Sequence, residues 1–233
     1  MTELTEFLAD EWGALGPMIP GPKPGPAHET LRGRVPTSLF DIWEEFGFSG
    51  IDNGRFWLCD PLEWQDAADA WTEGVEFRMP VDHWTPVVRG AFGHLELLGS
   101  APGATVTVVP LRNEFYPSDN TDLYPDSTSA DDAIESLFST FDSRSFPMRD
   151  DATDKPLFEE CLAAVGPVGI DTMYTFLPVP ALGGQASVTT VALEKAIPHL
   201  LLLRSLEAGE VRGDIAVTER DRQAGMDEWI SGS

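Results

Sequence analysis

Val35-Pro-Thr-Ser-Leu-Phe-Asp-Ile-Trp-Glu-Glu-Phe-Gly-Phe-Ser-Gly-Ile-Asp-Asn-Gly-Arg-Phe-Trp-Leu-Cys-Asp-Pro-Leu-Glu-Trp64 is the stretch around which the chain is organised, because three elements can be read from it in succession. Pro36, Thr37 and Ser38 open a helix, Leu39, Ile42, Trp43 and Phe46 recur on one face of it, and Gly47 supplies the left-handed stop. Gly50-Ile51 and Arg55 to Cys59 flank Asn53-Gly54, the pair best suited to positive φ at both centres of a tight hairpin turn. Asp60-Pro61 then offers an N-cap acceptor followed by a proline at the first helical position, and Leu62, Ala67, Ala68 and Trp71 continue as the apolar stripe of a second helix. The local order is helix, hairpin, helix, and Trp43, Trp57 and Trp64 read as core residues rather than as a stacking platform.

Upstream, Thr2 to Trp12 places Leu4, Phe7, Leu8 and Trp12 on one face of a helix capped by Thr2 or Thr5 and ended by Gly13. The proline-rich run Gly16 to Pro26 cannot form regular structure and predicts an extended strap. Downstream of Gly74 the period changes. Trp84 to Arg89, Gly93 to Leu98, Ala104 to Val109 and Asn113 to Tyr116 predict an antiparallel meander that continues the hairpin.

The charge balance is the most informative global property: 39 acidic against 15 basic residues give a formal net charge of −24, with a pI near 4.2. Such a surface repels nucleic acid and anionic membranes and speeds encounter with a basic partner. With 42% hydrophobic residues, no apolar run of membrane-spanning length and no positively charged leader, a cytosolic protein is expected. Cys59 and Cys161 lie far apart in apolar surroundings and read as buried thiols.

From Ser118 to Asp154 acids dominate, with only Arg144 and Arg149 against them. Within this segment Ser129 begins a helix bearing Ile134, Leu137, Phe138 and Phe141, with Asp131 and Asp132 in its first turn, where the dipole favours them. The Asp spacing does not match a calcium loop, and His83 and His94 lack nearby cysteines, so neither a metal nor a cofactor is expected. Lys155-Pro156 opens a further helix over Leu157, Phe158, Cys161, Leu162 and Val165 that stops at Gly166. Residues 166–184 predict a fixed, irregular path, Val188 to Leu193 a strand, and Ala196 to Leu206 an apolar helix. In the charged tail, Met226, Trp229 and Ile230 could form a docking helical turn.

Two blocks resemble known families. Val35 to Phe48, Gly54-Arg-Phe-Trp-Leu-Cys-Asp-Pro61 and Arg89-Gly-Ala-Phe-Gly-His-Leu-Glu-Leu97 resemble the bacterial GAD-like domain. Lys155-Pro-Leu-Phe-Glu-Glu-Cys-Leu-Ala-Ala-Val-Gly166, Met173-Tyr-Thr-Phe-Leu-Pro-Val-Pro-Ala-Leu-Gly-Gly184 and His199-Leu200 resemble the C-terminal domain that accompanies it in Tdi-type immunity proteins of type VI secretion systems. The resemblance implies an immunity protein made beside a secreted toxin, often a DNase, and binding it in the producing cell's cytoplasm; it implies no catalytic residue. On this basis the chain divides into a GAD-like domain at 1–116, an acidic connecting segment with one helix at 117–154, and an immunity-type domain at 155–233. The acidic insert is a departure from the family pattern.

The expected architecture is α+β, an antiparallel sheet with peripheral helices in two regions that share one core. The expected partner is a cognate toxin, met by Asp119, Asp122, Asp126, Asp131, Asp132 and Glu135. The competing reading is a hydrolase using Glu44-Glu45 or Glu159-Glu160 with a histidine. Adjacent acids on a helix point about 100° apart, which suits a solvated face better than a shared acid–base site. A nucleic-acid module is the weakest reading, since no basic stripe with interleaved aromatics exists.

Overall fold

The computed structural model describes residues 2–125, 129–142, 147–206 and 209–212. In its first half, α1 (Glu3–Leu15), α2 (Thr37–Phe46), β1 (Gly50–Ile51), β2 (Phe56–Leu58) and α3 (Pro61–Thr72) precede β3 (Trp84–Gly90), β4 (Leu95–Gly99), β5 (Ala104–Val109) and β6 (Glu114–Asp119). The six strands pair antiparallel in chain order, the meander that the alternating runs predict. Thr2 and Thr5 cap α1 reciprocally. Asp60 caps α3 through its Oδ1, which accepts from the Leu62 amide at 2.9 Å.

The turn between β1 and β2 is longer than the two-residue form expected. Ile51 pairs with Phe56, and Asp52, Asn53 and Gly54 all take positive φ. Asp52 accepts from Arg55 Nε at 2.5 Å, which holds the wider loop. A Cβ on Gly54 would lie 2.7 Å from the Val168 carbonyl, so the loop also fits closely against the second half of the chain.

The second half contributes α4 (Ala130–Ser139), α5 (Phe158–Val165), β7 (Thr172–Phe176), β8 (Val191–Lys195), α6 (Ala196–Leu206) and β9 (Glu210–Val211). β7 lies inside the segment expected to be irregular. It pairs with β8 along its whole length, and its Tyr174 amide donates to the Ala91 carbonyl at 2.8 Å. Thr172, Tyr174, Thr175 and Phe176 favour a strand locally, a signal masked by the surrounding glycines and prolines, and the distant partners fix it. β9 joins the edge of the main sheet parallel to β6, completing seven strands. The whole is an α+β fold. The docking turn expected at Met226, Trp229 and Ile230 lies outside the described residues.

The sheet is covered on both faces, and β4 shows why: alternate residues point to opposite sides. Leu98 joins the core under α1, α2 and α4, with Leu8, Trp12, Leu39, Trp43 and Phe138. Leu95 and Leu97 join the core under α3, α5 and α6, where Trp64 and Trp71 meet Phe158, Tyr174 and Leu200. That second core draws on both halves of the chain. Two expected core residues face water instead: Phe7 is 43% and Leu62 48% exposed. On α1 the inner face is Thr5, Leu8 and Trp12, which turns Phe7 outward. The helix runs to Leu15, past Gly13.

Arginines tie the second half to the first. Arg89 on β3 is 1% exposed and donates to the carbonyls of Gly169, Ile170 and Thr172 at 2.7, 2.9 and 3.1 Å. Its guanidinium lies 5.2 and 5.0 Å from the rings of Trp57 and Trp64. Arg55 bridges to Glu159 on α5 at 2.7 Å and stacks on Phe158. Arg204 on α6 donates to the carbonyls of Ala70 and Glu73 at the end of α3.

Candidate partner-binding surface

The acids expected to meet a partner are not equivalent in the fold. Asp119 ends β6 half-buried, accepting from the Thr121 amide at 3.1 Å and hydroxyl at 2.7 Å, so it shapes a turn. Asp122 follows in a short 3-10 turn and is exposed. Asp126 lies outside the described residues. Asp131 accepts from both the amide and the hydroxyl of Ser38 at 2.8 Å, which makes it a cap supplied to α2 by α4. Asp132 and Glu135 stand exposed on α4.

Tertiary packing adds acids that the chain order keeps apart. α1, α2 and α4 contact one another pairwise, and none of the three carries a lysine or arginine. Their outer surfaces bear Glu3, Glu6, Asp10 and Glu11 from α1, Glu44 and Glu45 from α2, and Asp132 and Glu135 from α4. Of these, Glu44 is neutralised by Arg32 from the adjoining strap. A signal for the α1 and α2 acids was present in the sequence, since they sit opposite an apolar stripe. Their convergence with α4 was not.

The arrangement offers little to chemistry. Glu44 and Glu159 are engaged by Arg32 and Arg55. His28 bridges the Gly25 amide and Asp60, and His199 bonds Thr175 at 2.9 Å. His94 is buried, which pushes its imidazole down to about 4. Burial likewise pushes the Cys59 and Cys161 thiols up to about 12, leaving them un-ionised at neutral pH. Among the described residues no group of three His, Cys, Asp or Glu side chains could hold a metal, and no helix is long and apolar enough to cross a membrane. A groove of about 530 Å³ runs beside Pro36, His83, Leu98 and Asp131, and a second of about 340 Å³ lies beside Arg112, Met148, Asp151 and Pro180. Neither brings a histidine to a pair of carboxylates.

A crystal structure of Atu4351 from Agrobacterium tumefaciens superposes with a TM-score of 0.70 over 80% of this chain and 84% of that one, at 19% identity, a likeness of fold. No curated protein matches the chain significantly. The family model of the GAD-like domain matches residues 11–111, and that of the C-terminal domain of the type VI secretion immunity protein Tdi1 matches residues 131–207. Residues 11–111 are therefore similar to the GAD-like domain, and residues 131–207 to the C-terminal domain of the type VI secretion immunity protein Tdi1.

Proposed function

We propose that the chain binds and neutralises a cognate type VI toxin, a DNase, through an acidic surface, in the cytoplasm of the producing bacterium. It acts by occupying the toxin and not by turnover. Residues 1–116 and 155–233 form its two working parts, and 117–154 is the acidic connection that carries α4 into the layer of α1 and α2. The observation that carries this reading is the charge segregation of that layer: three packed helices, acidic on their outer faces, without a single cation of their own. An enzyme that grips DNA presents a basic groove, and an acidic surface competes for it and accelerates association. The hydrolase reading gains little from the fold, because one member of each carboxylate pair, Glu44 and Glu159, is engaged by an arginine.

The test is to co-produce the effector encoded beside this gene and to follow protection of the host's DNA. Protection is expected, together with a complex whose association rate falls steeply with salt. Neutralising Asp122, Asp132 and Glu135 is expected to weaken that salt dependence. A neighbour with no toxic activity, or protection by a chain that never touches it, would overturn the reading.

A further inference from the structure

Among the described residues Phe7 is the only large aromatic that stands exposed. Phe7 is 43% exposed at the centre of the outer face of α1. Its helical neighbours at i−4, i−1, i+3 and i+4 are Glu3, Glu6, Asp10 and Glu11, all exposed. Positions three and four apart lie side by side on a helix, so Glu3, Asp10 and Glu11 flank the phenyl group, Glu6 beside Asp10 completes the acidic surround, and half-buried Leu4 at i−3 lies on the inner side.

None of the four forms a side-chain hydrogen bond or ion pair with the described residues, whereas elsewhere Glu44, Glu114, Asp154, Glu159 and Asp171 are each matched by a nearby cation. Glu3 and Glu6 have a local reason to be there, since they lie in the first turn at the positive end of the dipole. Asp10 and Glu11 lie beyond it. Glu6 and Asp10 are an unrelieved like-charge pair at i, i+4, a spacing that destabilises a helix. The stripe thus leaves the free protein with a half-exposed aromatic beside uncompensated charge, and a single kind of partner answers both.

We infer that Phe7, set among Glu3, Glu6, Asp10 and Glu11, is the anchor by which α1 seats in an apolar pocket rimmed by lysine and arginine on the toxin. The inference rests on the proposed function and names its contact. Charge selects this occupant. A second copy of the chain across a two-fold axis would bring the same acids face to face. Anionic membrane and nucleic acid are repelled by them. A basic protein with an apolar hollow gains from both features, with the aromatic setting the lifetime of the complex and the charge setting its rate of formation.

The experiment uses the full chain and, as probe, a catalytically inactive form of the neighbouring effector, with binding kinetics read at low and high salt. Phe7→Ala is expected to speed dissociation at least about tenfold with little change in association. Replacing the four acids together by their amides is expected to slow association about tenfold at low salt and to leave a rate nearly independent of salt. Both variants are expected to stay folded with melting temperatures close to that of the parent, because none of the four acids makes a side-chain hydrogen bond or ion pair with the described residues and the lost dipole contact of Glu3 and Glu6 is offset by relief of the Glu6–Asp10 repulsion. Glu160→Gln with Glu194→Gln, on the opposite layer, serves as the control and is expected to bind as the parent does. If the parent binds the effector and Phe7→Ala and the amide variant bind unchanged, this inference falls and the proposed function stands. If the parent does not bind, both fall. Self-association of the free chain that Phe7→Ala abolishes would assign the stripe to a second copy and overturn the inference.

Discussion

The two layers that cover the sheet are held by different physics. Under α3, α5 and α6, arginines clamp the assembly from inside: Arg89 reaches three carbonyls, Arg204 two, and Arg55 a carboxylate and a ring. Under α1, α2 and α4 the interior is aromatic and apolar. Trp12 meets Phe46, Phe56 and Phe138 there, and the indole N–H groups of Trp12 and Trp43 have no hydrogen-bond partner among the described residues. One layer spends its cations inward, whereas the helices of the other carry none of their own and meet Arg32, which stacks on Phe40 and pairs with Glu44. Most of that acidic face therefore stays uncompensated, and much of a global charge of −24 gathers there.

The contrast is broken most directly at the clamps. Arg89→Leu is expected to cost about 3–5 kcal/mol in urea unfolding, since three carbonyls lose their donor in a site closed to water. Burial lowers this guanidinium to about 10, so it is charged at pH 7, and Arg89→Lys is not expected to rescue the loss because an ammonium cannot reproduce the fork. The aromatic layer is probed by Trp12→Ala, expected to cost about 3–4 kcal/mol through the cavity it leaves. Tryptophan fluorescence and far-UV circular dichroism are expected to report one coincident transition in both variants, because the sheet is common to the two cores; separate transitions would show that the layers unfold independently.

A smaller effect, dependent on pH, comes from the sheet between the layers. Glu96 on β4 is 6% exposed and accepts from the Thr107 hydroxyl at 2.6 Å. Burial raises its carboxyl from the ordinary 4.5 to about 7 against the pull of Thr107 and Thr105. Below about pH 4.5 the group is protonated whether the chain is folded or not and has no effect. Above it the unfolded chain ionises first, so stability falls as pH rises and levels off beyond about 7, a loss on the order of 2–3 kcal/mol. Glu96→Gln is expected to match the parent at low pH and to exceed it by about that amount at pH 8, measured by urea midpoints across the range.

The smallest expected effect sharpens the division between structural and binding acids. Asp131→Ala removes the cap on α2 and is expected to cost about 1 kcal/mol, whereas Asp132→Ala is expected to change stability by less than about 0.5 kcal/mol. Equal costs would mean that Asp131 is as free for a partner as its neighbour.

Reading the chain went furthest where the cause is local. Asp60-Pro61 starts α3, Gly47 and Gly166 stop α2 and α5, and alternating runs between glycines lay down the meander, because capping, positive φ and strand period act within a few residues. The same reading set Asp119 and Asp131 among partner-binding acids, turned Phe7 and Leu62 inward and passed over β7. Asp131, β7 and Phe7 are decided by groups distant in sequence, Ser38 for Asp131, Ala91 and β8 for β7, and the core that takes Leu8 and Trp12 for Phe7, whereas Asp119 is held locally by Thr121.

What the amino-acid order determined alone is therefore the helices and strands of the first half, the succession of its six antiparallel strands and the surplus of negative charge. What only the tertiary structure decided is where that charge gathers and which side chains are spent in holding the fold. The physical reason is range: hydrogen bonds of the backbone are satisfied by near neighbours, while burial and charge are settled by whichever surface the chain brings back against them.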